Sequence, residues 1–409
     1  MKKAIIKGLI VIVTFLTALF IISSVMNKGN ADMTMEMSDA SYPMVSVWYA
    51  GEEINVMHGY AKAMEVSHMR ESLTPLGSGR KLNLRIDPYD EAITDIVFEV
   101  RTLDGERLIE STKVQEFTEE NGRINISASI KDLIETNQEY MFVLILTMEN
   151  GREIRYYTRV IYAEGYYAGE KLEYVVDFSE KTFNKESAKE LTKYLESNAE
   201  GDNTTFGIVD IHSSFNQVTW GDLKVTKEGE AAISIKELAP QTGSFELEYY
   251  VSTQKGKEKT YYRVKEYYRV RYTPERMYLL DFNRTMDQLF DKQGDVYANN
   301  KIMLGIISED IQMMESDGGN TLAFVTGNRL FSYNAADNKL ALLFGFYDEE
   351  RRDERNLYDG HKIKVLNVDE IGNVTFLVYG YMNRGRHEGE VGISAYFYDS
   401  MLNTVEELV

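Results

Sequence analysis

The feature that most constrains the fold is an alternation of apolar and polar residues, interrupted by two-residue turns that contain glycine. The stretch ITDIVFEVRTLDGERLIEST (93–112) places Asp104-Gly105 between two alternating runs, and Asn150-Gly151 divides 140–162 in the same way. Alternation with period two indicates a strand with one buried face, and an Asp-Gly or Asn-Gly turn between two such strands predicts a β-hairpin. From residue 45 to about residue 296 the chain therefore predicts antiparallel sheet.

Part of this sheet-forming region is repeated. Three pairs of short segments match in order, at an offset that changes by only one residue: SIKDL (129–133) with SIKEL (234–238), NGREIRYY (150–157) with KGKEKTYY (255–262), and YVVDF (174–178) with YLLDF (278–282). Chance matches would not stay in register, so we predict two copies of one β-module. In size and strand pattern these copies resemble tandem immunoglobulin-like or fibronectin-like β-sandwiches.

Each module is predicted to end in a short helix. In 179–198, the residues Phe183, Ala188, Leu191 and Leu195 recur at helical spacing, and Asn184 is placed to cap the first turn. The second copy has a shorter equivalent at 283–292, for which we also predict a helix.

The C-terminal region, 297–409, has a different pattern. TGNRLFSY (326–333) and IGNVTFLVYG (371–380) each place a Gly-Asn turn between strands, and the order of strand, turn, strand, turn, strand resembles the blades of a β-propeller. A closed propeller has at least about four blades, whereas this region has room for about two. The region is therefore either part of a longer array or a small β-domain with its edges protected in another way.

The N-terminus predicts a membrane anchor. Lys2, Lys3 and Lys7 precede an uncharged run at 8–26, which as a helix would extend about 28 Å, close to the roughly 30 Å hydrocarbon core of a bilayer. The lysines place the N-terminus in the cytoplasm and the remainder outside, as expected of a bacterial signal-anchor protein. The alternative is a signal peptide cleaved near 29–31, although its apolar region would be unusually long.

Composition excludes several classes of function. The formal net charge of −20 disfavours binding to nucleic acid. The chain has no cysteine, which excludes disulfides, thiolate metal sites and a lipid-bearing cysteine. The anchor is followed by Met33, Met35 and Met37, whose thioethers are possible Cu(I) ligands. Three thioethers alone are too few donors for a copper site, so we interpret 27–44 as a linker.

The most conspicuous candidate site is the polar segment 382–390, between two tyrosine-rich strands. His387-Glu388 has the first two residues of a zinc-protease motif, but Val391 stands where the second histidine is required. We therefore interpret the segment as a hairpin loop exposed to water. The competing hypothesis is a ligand-binding loop formed by Arg384, Arg386, His387 and Glu388, in which the two arginines hold a phosphate or carboxylate group.

A second candidate is a basic ribbon within 255–276. Its main residues are Lys257, Lys259, Arg263, Arg269 and Arg271. Such a ribbon would bind an anionic polymer or pair with acidic surfaces of the same chain. We favour the second interpretation, because oppositely charged faces of one chain meet readily. The sequence predicts no catalytic residues, no metal site and no cofactor.

These observations predict a mainly β, single-pass membrane protein whose bulk is extracytoplasmic. The predicted segments are a cytoplasmic tip (1–7), a transmembrane anchor (8–26), a linker (27–44), a first β-sandwich module with its helix (45–200), a second β-sandwich module (201–296) and a propeller-like region (297–409) that is incomplete as a propeller. The predicted function is non-catalytic binding or scaffolding, with the lipid bilayer and either a cell-wall polymer or a membrane protein as partners. The alternatives are a sensor or regulatory ectodomain and, third, a cell-envelope glycan hydrolase.

Overall fold

The structure is a computed structural model that describes residues 7, 12–18, 31–33, 39–131, 133–255, 258–291, 297–298, 301–336, 339–346 and 354–408. It is mainly β, with several sheets and few helices, which confirms the predicted fold class at this level. Within the predicted anchor only residues 12–18 are described, and they are helical; the rest of 8–26 lies outside the described residues. Among the helices of the described segments, none has both the length and the apolar character needed to cross a bilayer.

A β-sandwich follows the N-terminal residues; we call it the sandwich module. The strands up to its end are β1 (Ala31–Met33), β2 (Met44–Tyr49), β3 (Glu52–Met57), β4 (Leu73–Pro75), β5 (Lys81–Asp87), β6 (Ile93–Arg101), β7 (Leu108–Lys113), β8 (Thr118–Glu120), β9 (Arg123–Ser129), β10 (Glu139–Met148) and β11 (Glu153–Ile161). One 3-10 turn, Val66–His68, lies between β3 and β4. Strands β3-β2-β5-β9-β8 form one layer and β4-β11-β10-β6-β7 the other.

The sandwich module confirms the hairpins predicted from its turns. Strands β6 and β7 pair antiparallel around Asp104-Gly105, and β10 and β11 pair around Asn150-Gly151. Both glycines have positive φ, which is what their turns require. The segment 27–44 is predicted to be a linker, but three of its residues form strand β1. This strand pairs in parallel with a C-terminal strand, β22 (Lys339–Gly345).

The next part of the chain combines one long helix and two short ones with four long strands, and we call it the helix–sheet module. Its elements are α1 (Ala168–Thr182), a 3-10 helix (Ser187–Lys193), β12 (Ile208–Asp210), α2 (Phe215–Val218), β13 (Val225–Leu238), β14 (Thr242–Lys255), β15 (Glu258–Tyr272) and β16 (Met277–Gln288). The four long strands lie side by side in one sheet, with α1 against β14 and β15. This differs from the predicted second β-sandwich at 201–296, because a helix takes the place of a second sheet.

Both predicted closing helices are displaced or replaced. The first begins eleven residues before the predicted 179–198, because Leu172, Val175 and Phe178 form its buried stripe. The second, predicted at 283–292, is wrong over the described part, since residues 283–288 continue β16 with Arg284 and Met286 buried at alternate positions. The matched segments YVVDF (174–178) and YLLDF (278–282) therefore differ in structure: the first lies in α1 and the second in β16. The matched pair NGREIRYY and KGKEKTYY is alike, since each lies where two successive antiparallel strands meet.

The two modules share one ten-stranded sheet through a single contact between strands. Strands β3 and β13 pair in parallel only at Ile54 and Ile233. Beside this pair, the buried Asn55 adopts a φ of 51° and donates its amide to the Leu73 carbonyl (3.1 Å) and the Thr74 hydroxyl (2.8 Å). Its amide oxygen accepts from the backbone N–H of Ile235 (2.8 Å). Asn55 therefore joins both layers of the sandwich to the helix–sheet module.

The C-terminal region contains two antiparallel meanders, which we call the C-terminal sheets, and one separate two-stranded sheet. The strands are β17 (Tyr297–Ala298), β18 (Lys301–Ile302), β19 (Gln312–Glu315), β20 (Thr321–Thr326), β21 (Arg329–Asn334), β22, β23 (His361–Val368), β24 (Val374–Tyr381), β25 (Val391–Asp399) and β26 (Thr404–Glu407), with a 3-10 turn at Glu354–Leu357. Strands β19 to β22 form one meander and β23 to β26 the other. They pack face to face, with Phe344 against Phe376 and Tyr396.

The Asn55 junction yields a stability prediction. Replacing Asn55 with Ala removes three buried hydrogen bonds and leaves the Ile235 N–H unpaired, so we expect the free energy of unfolding to fall by about 2–4 kcal/mol. Urea unfolding followed by tryptophan fluorescence measures this change. The control is Asn83→Ala, because within the described segments the exposed Asn83 side chain hydrogen-bonds only to Ser127. This change should cost less than about 0.5 kcal/mol. Equal losses in the two variants would contradict the role of Asn55.

Candidate functional site

The predicted hairpin loop at 382–390 is largely buried, contrary to the expectation that it would lie in water. Arg384 is 2% exposed and Glu388 is 9% exposed. The Arg384 guanidinium donates to the amide oxygen of Asn356, which lies in the segment 354–359 between the two C-terminal sheets. The loop is polar because its charged groups make specific contacts inside the protein.

Glu388 binds the start of the sandwich module. One carboxylate oxygen accepts from the backbone N–H groups of Ser41 (2.7 Å) and Tyr42 (2.8 Å), and the other accepts from the Ser41 hydroxyl (2.7 Å). Nearby, the Tyr381 hydroxyl donates to the Gly59 carbonyl (2.7 Å). These bonds hold the sandwich module against the second C-terminal sheet.

The other two residues of the predicted ligand loop face outward. His387 Nε2 lies 2.8 Å from the Glu407 carboxylate, and Arg386, whose side chain is 83% exposed, lies 3.9 Å from the same carboxylate. Arg384 and Arg386 thus point to different partners, and the structure does not bring the four predicted residues into one site.

The basic ribbon lies along β15 and is largely paired within the chain. Lys259 binds Glu228 at 2.7 Å, and Arg263 binds both Glu248 and Asp359. Arg271 lies over the ring of Tyr278 at 4.7 Å, and Arg269 is exposed. Lys257 lies outside the described residues. The contact between Arg263 and Asp359 joins the helix–sheet module to the C-terminal sheets.

A buried ionic cluster was not anticipated from sequence. Arg284 donates to the carbonyls of Val218 (3.0 Å) and Gln217 (2.8 Å), and its guanidinium lies 3.6 Å from the ring centroid of Trp220. The carboxylate of Glu266, 3.9 Å away, accepts from Ser179 and Tyr268. Both charged side chains have no exposed surface, so the cluster ties α1 and α2 to the sheet and is not accessible to a ligand.

A groove of about 450 Å³ lies where the two modules meet, and we call it the junction groove. Its walls come from the β2–β3 hairpin, α1, β13 and Tyr358, with Trp48, Gly51, Glu53, Glu180, Lys227, Glu230, Ala231, Ala232 and Glu248 among its lining residues. Glutamates outnumber basic residues in this lining, so the groove is acidic.

Trp48 is the exposed aromatic residue of the junction groove. It is 38% exposed, and the guanidinium of Arg85 lies 3.8 Å from the centroid of its ring. Glu53 accepts from Arg85 and from Arg123, each at 3.4 Å. This network fixes the orientation of the Trp48 side chain while part of its surface remains in contact with solvent.

The opposite wall of the groove is a strand edge. One edge of β13 pairs with β14, with an interruption between Glu228 and Ala232. The other edge, on the groove side, pairs with β3 at Ile233 alone. Within the described residues, the segment 225–232 therefore has no strand beside it on the groove side. An unpaired edge of this kind is able to pair with an added strand.

A second depression of about 330 Å³ lies on the other side of Tyr358, and we call it the inter-sheet cleft. It is lined by the ends of β15 and β16, the Gly327-Asn328 turn and the start of β23. His361 is 3% exposed in its wall. Burial, opposed by the nearby Asp359 carboxylate and the Asn328 backbone, lowers the pKa of His361 to about 4.

The sequence contained few signals for these two depressions. Trp48 is one of two tryptophans in the chain, but nothing near it in sequence suggested that it would be exposed. His361 and Asn356 belong to no sequence motif. They line the same cleft as Arg263 because the C-terminal sheets pack against the helix–sheet module.

Comparison with known proteins does not identify a family. No family model matches the chain, and no curated protein matches it. Among the residues that the structure describes, no group of three or more histidines and carboxylates is placed to hold a metal ion.

The Glu388 contact gives a second prediction. In Glu388→Ala, the N–H groups of Ser41 and Tyr42 lose a charged acceptor, so we expect the free energy of unfolding to fall by about 2–4 kcal/mol; Glu388→Gln, which keeps one oxygen, should lose roughly half as much. Urea unfolding at pH 7 measures both. Arg386→Ala is the matched control in the same loop, and the interpretation fails if it destabilises the protein as much as Glu388→Ala does.

The buried His361 gives a prediction about pH. Its pKa in the folded protein, about 4, lies below that of an unfolded chain, about 6.5, so the unfolded state binds the proton first as pH falls. This contribution to stability is complete above pH 6.5 and is lost towards pH 4, a total of roughly 3 kcal/mol. Urea unfolding of the wild type and of His361→Gln from pH 7.5 to 4.5 should give a shallower pH dependence for the variant. Parallel curves would show that His361 does not titrate in this way.

Proposed function

We propose that this protein is a non-catalytic binding and scaffolding protein that holds an extended segment of a partner polypeptide in the junction groove. The observation that carries the proposal is the unpaired edge of β13 at 225–232, which faces the groove opposite the exposed Trp48. A strand added to this edge gains main-chain hydrogen bonds, and alternate side chains point into the groove. Trp48 then contributes a large apolar contact at one end.

The charge of the groove defines the preferred segment. Its lining includes Glu52, Glu53, Glu180, Glu230 and Glu248. Three of these are paired with basic residues: Glu53 with Arg85 and Arg123, Glu180 with Lys227, and Glu248 with Arg263. Glu52 and Glu230 have no ion pair among the described residues and give the groove its acidic character. The remaining acidic field favours a partner segment that carries lysine or arginine, and it repels acidic segments.

The proposed location is the outer side of a membrane, with residues 8–26 as the anchor. The apolar run and the lysines before it support this location. A partner that is itself a membrane protein, or a protein bound to the cell wall, would then be within reach of the groove.

We also propose finer structural relationships for two regions. The sandwich module is immunoglobulin-like or fibronectin-like, a proposal supported by its two packed layers, in which all neighbouring strands pair antiparallel except β4 with β11. The C-terminal sheets are propeller-like, supported by two consecutive four-stranded meanders that pack face to face. A crystal structure of the intact chain tests both, since sheets that share no common axis would exclude the propeller relationship.

Site-specific photo-crosslinking tests the function. With a photoreactive amino acid at Ala231, on the β13 edge, we expect irradiation of intact cells to yield one predominant crosslinked protein, and Trp48→Ala to reduce its amount by about tenfold, because the anchoring contact is lost. Mass spectrometry of the crosslinked band identifies the partner. Protease added to the same intact cells should digest the modules, as an extracytoplasmic location requires.

The control carries the photoreactive group at Met401, which is 81% exposed, lies between β25 and β26, and is not among the lining residues of the groove. The same product from both positions would show that the crosslink is not specific to the groove. Release of reducing ends or peptides from purified cell-wall material, by the wild type but not by heat-denatured protein, would contradict the non-catalytic proposal in favour of a hydrolase.

A further inference from the structure

We propose that the outer face of the second C-terminal sheet, β23 to β26, binds the same face of a second copy of this chain. This face shares no lining residue with the junction groove, so the inference goes beyond the proposed function. Two observations carry it. One is an apolar area that is open to solvent in the described structure, and the other is a distribution of charge that makes the face complementary to itself.

The first C-terminal sheet, β19 to β22, is covered on both faces. On one face, Phe344 packs against the second sheet. On the other face, Phe324 and Phe331 pack against Phe290, with ring centroids 5.8 and 4.9 Å apart. The chain itself therefore buries both apolar faces of this sheet.

The second C-terminal sheet differs, because its outer face is exposed. The inner residues Phe376, Val378 and Tyr396 are buried against the first sheet. Successive residues of a strand point to opposite faces, so the residues between them point outward. Among these, Tyr379 is 38% exposed and Ile393 is 70% exposed. An apolar sheet face of this kind is typical of an interaction surface.

The register of the strands places the outward apolar residues side by side. Tyr379 pairs with Ile393, and two residues further along Leu377 pairs with Ala395. On β26, the backbone N–H of Leu408 donates to the Ala395 carbonyl (2.7 Å), which continues the same row. The apolar area of the outer face consists of Leu377, Tyr379, Ile393, Ala395, Phe397 and Leu408.

The charges of the outer face are divided between its two edges. Strand β23 at one edge carries Lys362 and Lys364, which pair with Tyr379 and Leu377. Strand β26 at the other edge carries Glu406, which pairs with Phe397. All three charged residues are exposed, and none of them has an ion pair within the part of the chain that the structure describes. The face therefore has a basic edge, an apolar centre and an acidic edge.

This order of charges distinguishes between the two ways in which two copies can meet. Face-to-face sheets with aligned strands are related by a two-fold axis that runs either across the strands or along them. An axis across the strands places β23 over β23, so that lysines oppose lysines. An axis along the strands places β23 over β26, so that Lys364 of each copy is within reach of Glu406 of the other. The apolar centres then face each other, with an ion pair at each rim.

The same argument favours a second copy over an unrelated protein. An unrelated partner would need its own apolar face with an acidic and a basic edge in the opposite order, whereas a two-fold axis along the strands supplies this pattern automatically. Four strands about 4.8 Å apart and three rows about 6.8 Å apart cover roughly 400 Å² per copy. About 800 Å² in total is at the weak end of protein interfaces, so we expect a Kd on the order of 10–100 µM.

Sedimentation equilibrium of the full-length protein in detergent tests the proposal. We expect the wild type to change from monomer to dimer between about 1 and 200 µM. Ile393→Glu places a charge in the apolar centre of both copies and should weaken the dimer at least tenfold. Leu108→Glu is the matched control, because Leu108 is an exposed apolar strand residue of the sandwich module, 47% exposed. It should leave the dimer unchanged, and thermal unfolding reports whether each variant is folded.

Charge reversal tests the direction of the two-fold axis. Lys364→Glu and Glu406→Lys, each alone, bring like charges together at both rims, so each should weaken the dimer about fivefold. In an equimolar mixture of the two variants, every rim again has one charge of each sign. The mixture should therefore form heterodimers about as tightly as the wild type forms its dimer.

Three results would overturn the proposal. The first is a wild type that is monomeric at 200 µM, which would leave the face to a different protein. The second is a dimer as tight in Ile393→Glu as in the wild type, which would place self-association elsewhere, for example in residues 8–26. The third is a mixture of the charge variants that associates no better than either variant alone. None of these results depends on the junction groove, so they are independent of the crosslinking experiment at Ala231.

Discussion

The arrangement of the whole molecule depends on one hydrogen-bonded side chain at a junction of strands. Asn55 bonds to two layers of the sandwich module and to β13 of the helix–sheet module, at the only position where β3 and β13 pair. Strands β3 and β13 are not paired beyond this point, and the junction groove lies there, between the β2–β3 hairpin and β13. A single contact between strands would be weak by itself, but a buried amide with every bond satisfied gives it a fixed geometry.

A few charged residues of this acidic protein hold modules together. Glu388 joins the second C-terminal sheet to the sandwich module, and Arg263 joins the helix–sheet module to Asp359. Arg284 and Glu266 do the same inside the helix–sheet module. Buried charges of this kind define specific docking geometries, because an alternative arrangement would leave each charge without a partner.

The local hairpins were predictable, whereas the helix and the candidate sites were not. Asp104-Gly105 and Asn150-Gly151 produce their turns wherever they stand between alternating strands, since the backbone angles they favour depend on neighbouring residues only. YVVDF and YLLDF have nearly the same composition, and their different structures follow from what covers them: α1 packs on the sheet, while β16 pairs within it. The polarity of Arg384 and Glu388 predicted a loop in water, because sequence does not show that Asn356 and Ser41 lie opposite them.

By itself, the sequence determined the mainly β class, the antiparallel hairpins and the glycine turns, because each of these rests on period-two alternation and on backbone preferences that act within a few residues. Only the tertiary structure decided which strands share a sheet, where the helix packs, and which polar residues are buried. Those properties arise from contacts between residues hundreds of positions apart, such as Glu388 with Ser41. The junction groove and the inter-sheet cleft belong to this second group, since each is formed by modules that meet only in the folded protein.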